Sequence, residues 1–482
     1  MTIIWHHGPA LPTGWPDTLP AWWEAARARA AGAVVLVEAG RAWTWDELLD
    51  TAGRLAQTWA EQVPADTRIA LRLPNGAAHL IVELAAWHLG AAAAPIPPHL
   101  GPVATADLLA RLAPVLVVEA AAEVLATRTN ARLPPRPVSG DTAALVLATS
   151  GSSGHPKAVV LSHRNLTSQQ AAFALQWPEI GPGDRLAAYL PWHHSFGALA
   201  ERLWALGRGA TLTVVPGAGR DREVLLATMH AVRPTVLMSV PKVHRLLRTA
   251  DALDHACLRW VFTAGASLGS SEDAWYAARG IPIHEGWGLT ESSPSATLTV
   301  PGDARTPGVV GRPIAGVAVG VRADGHVLIA GPNVMTSYLG DAAATAQVRW
   351  LDPQLGPVLD SGDLGEWSPA GLRLLGRADQ TIKLGNGEKV ALAAIAARLE
   401  AQPGIQGAVV HSPDGEHLEA VVQARDDACV QAALVAVNAS EPTPWRRLRS
   451  IRCLSLTPSV DNGLLTPSLK PVPRTWIASL ID

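Results

Sequence analysis

The sequence predicts an α/β protein whose sheets are largely parallel. Short apolar runs typical of buried strands alternate with alanine- and leucine-rich stretches typical of helices, which is the pattern of parallel strands joined by helical crossovers. A chain of 482 residues also exceeds the length that one hydrophobic core usually supports, so we expect more than one domain. The strand-like runs are Ala33–Val37, Arg68–Leu73, Val115–Val118, Thr211–Val215 and Thr235–Val240.

The most apolar long stretch runs from His79 to Pro98. Glu83, His88 and Gly90 interrupt it, so it predicts a buried helix that leads into a strand and not a membrane span. The first residues lack the basic start and the continuous apolar core of a signal peptide. We therefore expect a cytoplasmic protein, and the sequence leaves peripheral membrane contact open.

The pattern of predicted elements changes twice in the second half of the chain. Short elements marked by glycine and proline from about Gly302 to Gly376 predict a β-rich subdomain. Beyond it, the pattern predicts a helix at Ala391–Glu400, strands at Ala408–His411 and Leu418–Gln423, and a helix at Asp426–Asn438. These elements fit a small α+β domain.

The composition gives no support to some classes of function. A formal net charge of −3 supplies no basic field for nucleic acid. Cys257, Cys429 and Cys453 lie far apart in the chain, so we expect free thiols in a reducing compartment and no structural disulfide. Tryptophan occurs 18 times against three phenylalanines and three tyrosines, and we expect it to fill core volume.

A loop between two apolar stretches is the strongest chemical signal, and the stretch before it is typical of a buried strand. Its glycines allow backbone N–H groups to face an anion, its hydroxyls add hydrogen-bond donors, and Lys157 adds a positive charge. The lysine follows proline and precedes alanine, so this is not a Walker loop. A Gly/Ser loop alone is also compatible with a solvated turn. The candidate phosphate ligands are Thr149, Ser150, Gly151, Ser152, Ser153, Gly154 and Lys157, and Ser162 with Asn165 predicts a capped helix after them.

This loop resembles the signature of the adenylate-forming superfamily, which contains acyl-CoA synthetases, firefly luciferase and adenylation domains of nonribosomal peptide synthetases. Further motifs follow in that family's order. They are Pro191–Gly197 (PWHHSFG), Gly286–Glu291 (GWGLTE), Asp360–Asp363 (DSGD), Gly376–Lys383 (GRADQTIK) and Asn462–Lys470 (NGLLTPSLK). The ending and the run Val240–His244 resemble long-chain acyl-CoA synthetases most.

The resemblance implies a fold and a set of co-substrates. It predicts a nucleotide-binding domain over residues 1–377 and a mobile C-terminal domain over residues 378–482, with a hinge at Asp379 and a catalytic lysine, Lys470, on the moving part. ATP, Mg²⁺ and coenzyme A are the implied co-substrates and metal. The reaction is activation of a carboxylic acid to an acyl-adenylate with release of pyrophosphate, followed by transfer to a thiol.

The resemblance also assigns roles to single residues. Thr290 and Glu291 would place Mg²⁺, Lys470 would bridge the carboxylate and the α-phosphate, and His194 would line the acyl tunnel. Gly385 and Lys389 belong to a loop that turns toward the tunnel for thiol transfer. The nucleotide contacts are Gly265 and Ala266 as a backbone wall, Trp287 with Gly288 at adenine, Asp363 at the ribose, and Arg377 and Asp379 at the hinge.

Two features keep alternatives open. His193 and His194 allow a reading as metal ligands, but adjacent histidines are expected to point apart, and no third ligand has suitable spacing. Leu392 and Ala394 replace the proline and glutamate common in the family after the hinge loop. We expect a medium- or long-chain fatty acid and free CoA as substrates; a carrier-protein phosphopantetheine acceptor and a non-catalytic nucleotide-binding homologue are the alternatives.

Overall fold

The computed structural model describes residues 3–127, 129, 131–149, 157–265, 268–300, 305–306, 308–386, 389–459, 462–465 and 471–479. The helices are α1 Leu19–Arg29, α2 Trp45–Trp59, α3 Ala77–His88, α4 Pro102–Leu112, α5 Ala121–Leu125, α6 His163–Gln176, α7 Trp204–Arg208, α8 Arg222–Val232, α9 Pro241–Thr249, α10 Ser270–Ala277, α11 Ala342–Val348, α12 Leu392–Glu400, α13 Asp427–Ala439 and α14 Pro473–Ala478. A π-helix spans Phe196–Leu203 and leads into α7. No helix among these described residues is long and apolar enough to cross a membrane.

The strands form several sheets. They are β1 Ile4–His7, β2 Val34–Glu38, β3 Arg41–Thr44, β4 Arg68–Leu71, β5 Ala92–Pro95, β6 Leu116–Val118, β7 Ala143–Thr149, β8 Lys157–Ser162, β9 Arg185–Ala188, β10 Thr211–Val214, β11 Val236–Ser239, β12 Trp260–Thr263, β13 Ile283–Trp287, β14 Thr297–Leu298, β15 Arg312–Pro313, β16 Ala318–Val321, β17 His326–Ala330, β18 Ser337–Tyr338, β19 Arg349–Asp352, β20 Gly356–Ser368, β21 Gly371–Arg377, β22 Thr381–Lys383, β23 Lys389–Ala391, β24 Ile405–His411, β25 Leu418–Ala424 and β26 Leu448–Cys453.

Parallel pairing dominates the first part of the chain, which confirms the predicted α/β class. One sheet has the order β18-β8-β7-β5-β4-β6, and its strands β4 to β7 pair in parallel. β9, β10 and β2 also pair in parallel, as do β11, β12 and β13. Every residue of α3 is buried, and β5 follows it, so the predicted helix and strand between His79 and Pro98 are confirmed.

The predicted β-rich subdomain is an antiparallel sheet of β16, β17, β20, β19 and β21. Two of its features were not predicted. β1 from the N-terminus adds to its edge by antiparallel pairing with β16. β18 lies between its strands in sequence but leaves this sheet and pairs with β8.

Two main hydrophobic cores lie in different parts of the chain. The larger contains buried residues between Leu19 and Leu372, and the second contains residues between Leu384 and Ile451, built on α12, α13 and the sheet β24-β25-β26. The larger core holds several fully buried tryptophans, among them Trp177, which stacks on Trp260 with ring centres 4.9 Å apart. Tryptophan therefore fills core volume, as expected, and the three cysteines are free thiols.

Candidate active site

The strand before the phosphate loop and the capped helix at Ser162 are as the sequence predicts, whereas the strand β8 between the loop and that helix was not predicted. β7 and β8 form an antiparallel hairpin in which Thr149 faces Lys157, and the Thr149 hydroxyl donates to the Lys157 carbonyl oxygen at 3.3 Å. Ser162 begins α6 with a capping box: its Oγ accepts from the Asn165 backbone N–H, and the Asn165 Oδ1 accepts from the Ser162 backbone N–H. The loop ligands Ser150 to Gly154 lie outside the described residues.

Two asparagines connect α6 with the GWGLTE segment. The side-chain amide of Asn165 donates to the carbonyl oxygens of Pro332 and Val334 at 2.7 and 2.9 Å. Between those residues, Asn333 donates to the carbonyl oxygens of Ser292 and Ser295, each at 3.0 Å. Because these amides are buried, the bonds fix the turn that carries Glu291 relative to the helix after the phosphate loop.

Glu291 lies beside an aromatic residue that the sequence analysis did not single out. The Tyr338 hydroxyl donates to Oε1 of Glu291 at 2.8 Å. Nζ of Lys157 lies 4.5 Å from the centre of the same Tyr338 ring, at cation–π distance. Burial and the neighbouring carboxylate raise the pKa of Tyr338, so the phenol keeps its proton and acts as the donor. Tyr338 therefore links the predicted phosphate-binding lysine to the predicted metal-binding carboxylate.

The PWHHSFG segment approaches the same place from β9. The Ser195 and Thr290 hydroxyls lie 3.0 Å apart and form a hydrogen bond. Behind the segment, buried Asn75 accepts from the Trp192 backbone N–H and donates to the Leu190 carbonyl oxygen. Because His194 directly precedes Ser195 in the chain, these contacts hold it next to the GWGLTE segment.

The DSGD and GWGLTE segments meet at the other predicted nucleotide contact. Nε1 of Trp287 donates to Oδ2 of Asp363 at 2.8 Å, and Arg377 donates to Oδ1 at 3.3 Å. Burial raises the pKa of Asp363, against the opposing effect of Arg377. Gly362 adopts a φ of 70°, which suits glycine and turns the chain so that Asp363 faces Trp287. The Trp287 indole is 8% exposed, so the hydrogen bond to Asp363 is shielded from water.

Gly288 has a steric requirement of its own. A Cβ at this position would overlap the Pro294 carbonyl oxygen, so only glycine fits between Trp287 and the turn at Thr290–Ser292. Trp287 and Glu291 are four residues apart in sequence. Across this tight turn, the Trp287 side chain bonds to Asp363 and the Glu291 side chain bonds to Tyr338.

The remaining predicted site residues belong to other segments of the chain. Gly265 lies two residues after β12 and has a φ of 84°, and Ala266 lies outside the described residues. Asp379 accepts from Arg377 at 3.4 Å. Gly385 donates to the Gly415 carbonyl oxygen in the C-terminal part, and Lys389 begins β23. Lys470 lies outside the described residues.

The expectation that His193 and His194 point apart is wrong. Their ring centres lie 4.7 Å apart, at a tight turn in which the His194 backbone N–H donates to the Pro191 carbonyl oxygen at 3.1 Å. Across the described part of the chain, no group of three or more histidine, cysteine, aspartate or glutamate side chains is arranged to hold a metal ion.

Comparison with known proteins identifies the family. The AMP-binding enzyme family matches residues 22–339, which include the phosphate loop, the PWHHSFG and GWGLTE segments and Tyr338. This chain belongs to the AMP-binding enzyme family. The predicted resemblance to adenylate-forming enzymes is therefore confirmed.

Relatives with assigned names include acid–CoA ligases of different substrates. Human long-chain-fatty-acid–CoA ligase 1 is 28% identical over 445 residues, an alignment that covers 74% of this chain and only 62% of that protein. Feruloyl-CoA synthase of Amycolatopsis is 27% identical, with 89% of this chain and 91% of that protein covered. The AMP complex of o-succinylbenzoate CoA synthetase from Bacillus subtilis superposes with a TM-score of 0.83 at 19% identity, over 94% of this chain and 97% of that one, which shows a shared fold.

Proposed function

We propose that this AMP-binding enzyme is an acid–thiol ligase that activates a carboxylic acid with ATP and passes the acyl group to coenzyme A. The observation that carries the proposal is the double attachment of the GWGLTE segment. At one end Trp287 bonds to Asp363, and at the other Glu291 bonds to Tyr338 beside Lys157. In ATP the ribose hydroxyls and the terminal phosphates are separated by the ribose ring and several bonds of the phosphate chain, and this segment spans two sets of groups that suit them.

The residues present suit ATP and Mg²⁺. Asp363 has two carboxylate oxygens, and the bonds from Trp287 and Arg377 leave acceptor capacity for the ribose hydroxyls. Glu291 offers a hard oxygen ligand beside the Thr290 hydroxyl, which suits a metal that binds few protein ligands and several phosphate oxygens and waters. When bound, Mg²⁺ would offset the charge on the leaving pyrophosphate.

Catalysis in this proposal is positioning and charge compensation. The attacking carboxylate and the α-phosphate repel each other, so the reaction needs fixed positive groups close to both. Lys157 would hold the β- and γ-phosphates together with the loop Thr149–Gly154. Lys470 would bridge the carboxylate and the α-phosphate.

A change of domain orientation would allow one cleft to serve both half-reactions. We propose domains at residues 1–377 and 378–482 with the hinge at Asp379, which accepts a hydrogen bond from Arg377. The separate cores before Leu372 and after Leu384 support this boundary. Rotation would exchange Lys470 for the loop Gly385–Lys389 at the acyl group.

We propose a medium- or long-chain fatty acid as the substrate, because the name of a human relative and the NGLLTPSLK ending both favour it. The free thiols fit a cytoplasmic location. A carrier-protein phosphopantetheine is the second candidate acceptor. It is favoured by Leu392 and Ala394, which replace residues on the thiol-transfer side of the hinge.

The first test is ATP–pyrophosphate exchange without CoA across acetate, octanoate, palmitate and aromatic acids. We expect a fatty acid to drive exchange and Lys470→Ala to lower the rate by a factor of about 100 or more. Lys242→Ala is the matched control, because Lys242 is exposed on α9 and is expected to keep the rate. Exchange by no acid would contradict the ligase proposal. Product formed with a holo-carrier but not with CoA would identify the second acceptor.

A further inference from the structure

A group of basic side chains from separate segments converges beside the PWHHSFG segment. The His193 ring centre lies 5.8 Å from that of His99 and 4.7 Å from that of His194. Arg220 donates to Nδ1 of His99. We call His99, His193, His194 and Arg220 the histidine cluster. It lies one residue from Ser195, whose hydroxyl contacts Thr290 at 3.0 Å.

The strand topology explains why the cluster forms. His99 follows β5, His193 follows β9 and Arg220 follows β10, and each of these strands belongs to a parallel pair. The carboxyl ends of parallel strands are where α/β proteins bind small molecules. The cluster therefore occupies a position suited to a ligand next to the proposed reacting groups.

His193 is the buried centre of this group. It is 8% exposed, and none of the hydrogen bonds of the described residues involves its ring nitrogens, although a neutral imidazole carries one donor and one acceptor. Burial, reinforced by the neighbouring histidines and Arg220, lowers the pKa of His193 to about 2. The ring therefore stays neutral and keeps an N–H available for an acceptor.

Two carboxylates near the cluster are committed elsewhere. Asp221 follows Arg220 but caps α8, where its Oδ1 accepts from the backbone N–H groups of Glu223 and Val224. Glu83 lies beside His79 but forms a buried ion pair with Arg202 at 2.6 Å. Neither of these two carboxylates is therefore available to the cluster, and an external acceptor with negative charge would complement both the charge of Arg220 and the N–H of His193.

We propose that the histidine cluster binds a second carboxylate on the acid that the enzyme activates, so that the preferred substrates are dicarboxylic acids with an aliphatic chain. An ionised carboxylate only accepts hydrogen bonds, and its two oxygens can accept from an arginine guanidinium and from an imidazole N–H at the same time. This inference rests on the proposed ligase function and narrows its substrate class.

The experiment compares acids of one chain length that differ only at the far end. ATP–pyrophosphate exchange is measured with octanoate, ω-hydroxyoctanoate and suberate, in the wild type and in Arg220→Gln, Arg220→Lys and Arg222→Gln. Arg222 is the matched control, because it is also exposed and lies two residues away on α8. Binding of octanoate and suberate is measured separately by calorimetry with AMP present and without turnover.

We expect kcat/KM for suberate to exceed that for octanoate by about tenfold or more in the wild type. Arg220→Gln should reduce this ratio about tenfold, Arg220→Lys should reduce it less, and Arg222→Gln should leave it unchanged. Exchange that favours octanoate or the hydroxy acid, or a ratio unaffected by Arg220→Gln, overturns the inference while the ligase function stands.

The calorimetric arm separates the two proposals. Tighter binding of suberate that Arg220→Gln weakens, without exchange by any acid, supports the carboxylate site and refutes the ligase function. Equal binding of both acids and no exchange overturn both.

Discussion

Replacing Tyr338 with phenylalanine removes one hydroxyl and keeps the ring. The lost group donates to Oε1 of Glu291 at 2.8 Å from a side chain that is 6% exposed, so water has little access to replace it. The ring, which lies 4.5 Å from Nζ of Lys157, remains. Tyr338→Phe therefore tests the hydrogen bond to Glu291 separately from the cation–π contact.

The expected size of the effect follows from the kind of hydrogen bond that is lost. A hydrogen bond to a charged group contributes about 1.5–3 kcal/mol, which corresponds to about a 10- to 150-fold change in an equilibrium or a rate. Glu291 would then be free to rotate away from the metal position, so the loss should appear in kcat/KM for exchange and as a higher Mg²⁺ requirement. Tyr338→Leu, which also removes the ring beside Lys157, should cost more.

The assay is pyrophosphate exchange over a range of Mg²⁺ concentrations. Tyr276→Phe is the matched control, because the Tyr276 hydroxyl is also buried and is hydrogen-bonded to His244 at 2.8 Å, away from Glu291. The control should lower thermal stability without changing the Mg²⁺ requirement. If Tyr338→Phe stays within about twofold of the wild type at every Mg²⁺ concentration, Tyr338 does not position Glu291, and the reasoning is refuted.

Three further predictions concern binding and stability. Trp287→Phe removes the donor to Asp363, and we expect a KM for ATP raised about tenfold with the acid KM unchanged; a rise in the acid KM alone would contradict this. Asn165→Ala removes one of the two hydrogen bonds of the α6 capping box and two bonds to the loop after β17, so urea unfolding should show a free energy of unfolding that is lower by about 2 kcal/mol or more. Burial lowers the pKa of His163 and of His284 to about 4, so the unfolded chain takes up protons that the folded chain excludes, and the free energy of unfolding should fall by up to about 1.4 kcal/mol per histidine for each pH unit below about 6.5. Thermal unfolding between neutral pH and about pH 5 measures that slope, which should become shallower in His284→Gln.

The sequence pattern predicted elements whose stability is local. The signals for these elements lie within short stretches of sequence. A continuous apolar run predicts the helix α3 and the strand β7, and a serine three positions before an asparagine predicts the capping box of α6. Such signals depend on burial and on backbone donors within one or two turns. The second core after Leu384 was predicted for the same reason.

Elements held by distant partners could not be predicted. β1 is four residues long and exists because β16, more than 300 positions away, offers a free edge. β18 has two residues, and no periodicity can be read from two residues. The missed site residue Tyr338 lies on this strand. One sequence signal was present: Tyr338 is an aromatic residue just before the helix that Asp341 caps. This signal marks the start of a helix but does not indicate a contact with Glu291.

The position of β18 explains how separate segments act as one site. Lys157 begins β8, and Tyr338 on β18 pairs opposite Val159 on the same strand. The pairing therefore brings the Tyr338 ring to Lys157, and the hydroxyl of that ring reaches Glu291 on the GWGLTE turn. Asn333, five residues before Tyr338, holds the same turn through Ser292. Residues 333–338 thus fix the predicted metal-binding carboxylate relative to the phosphate-binding hairpin, so a shift of β18 by one residue would separate both contacts at once.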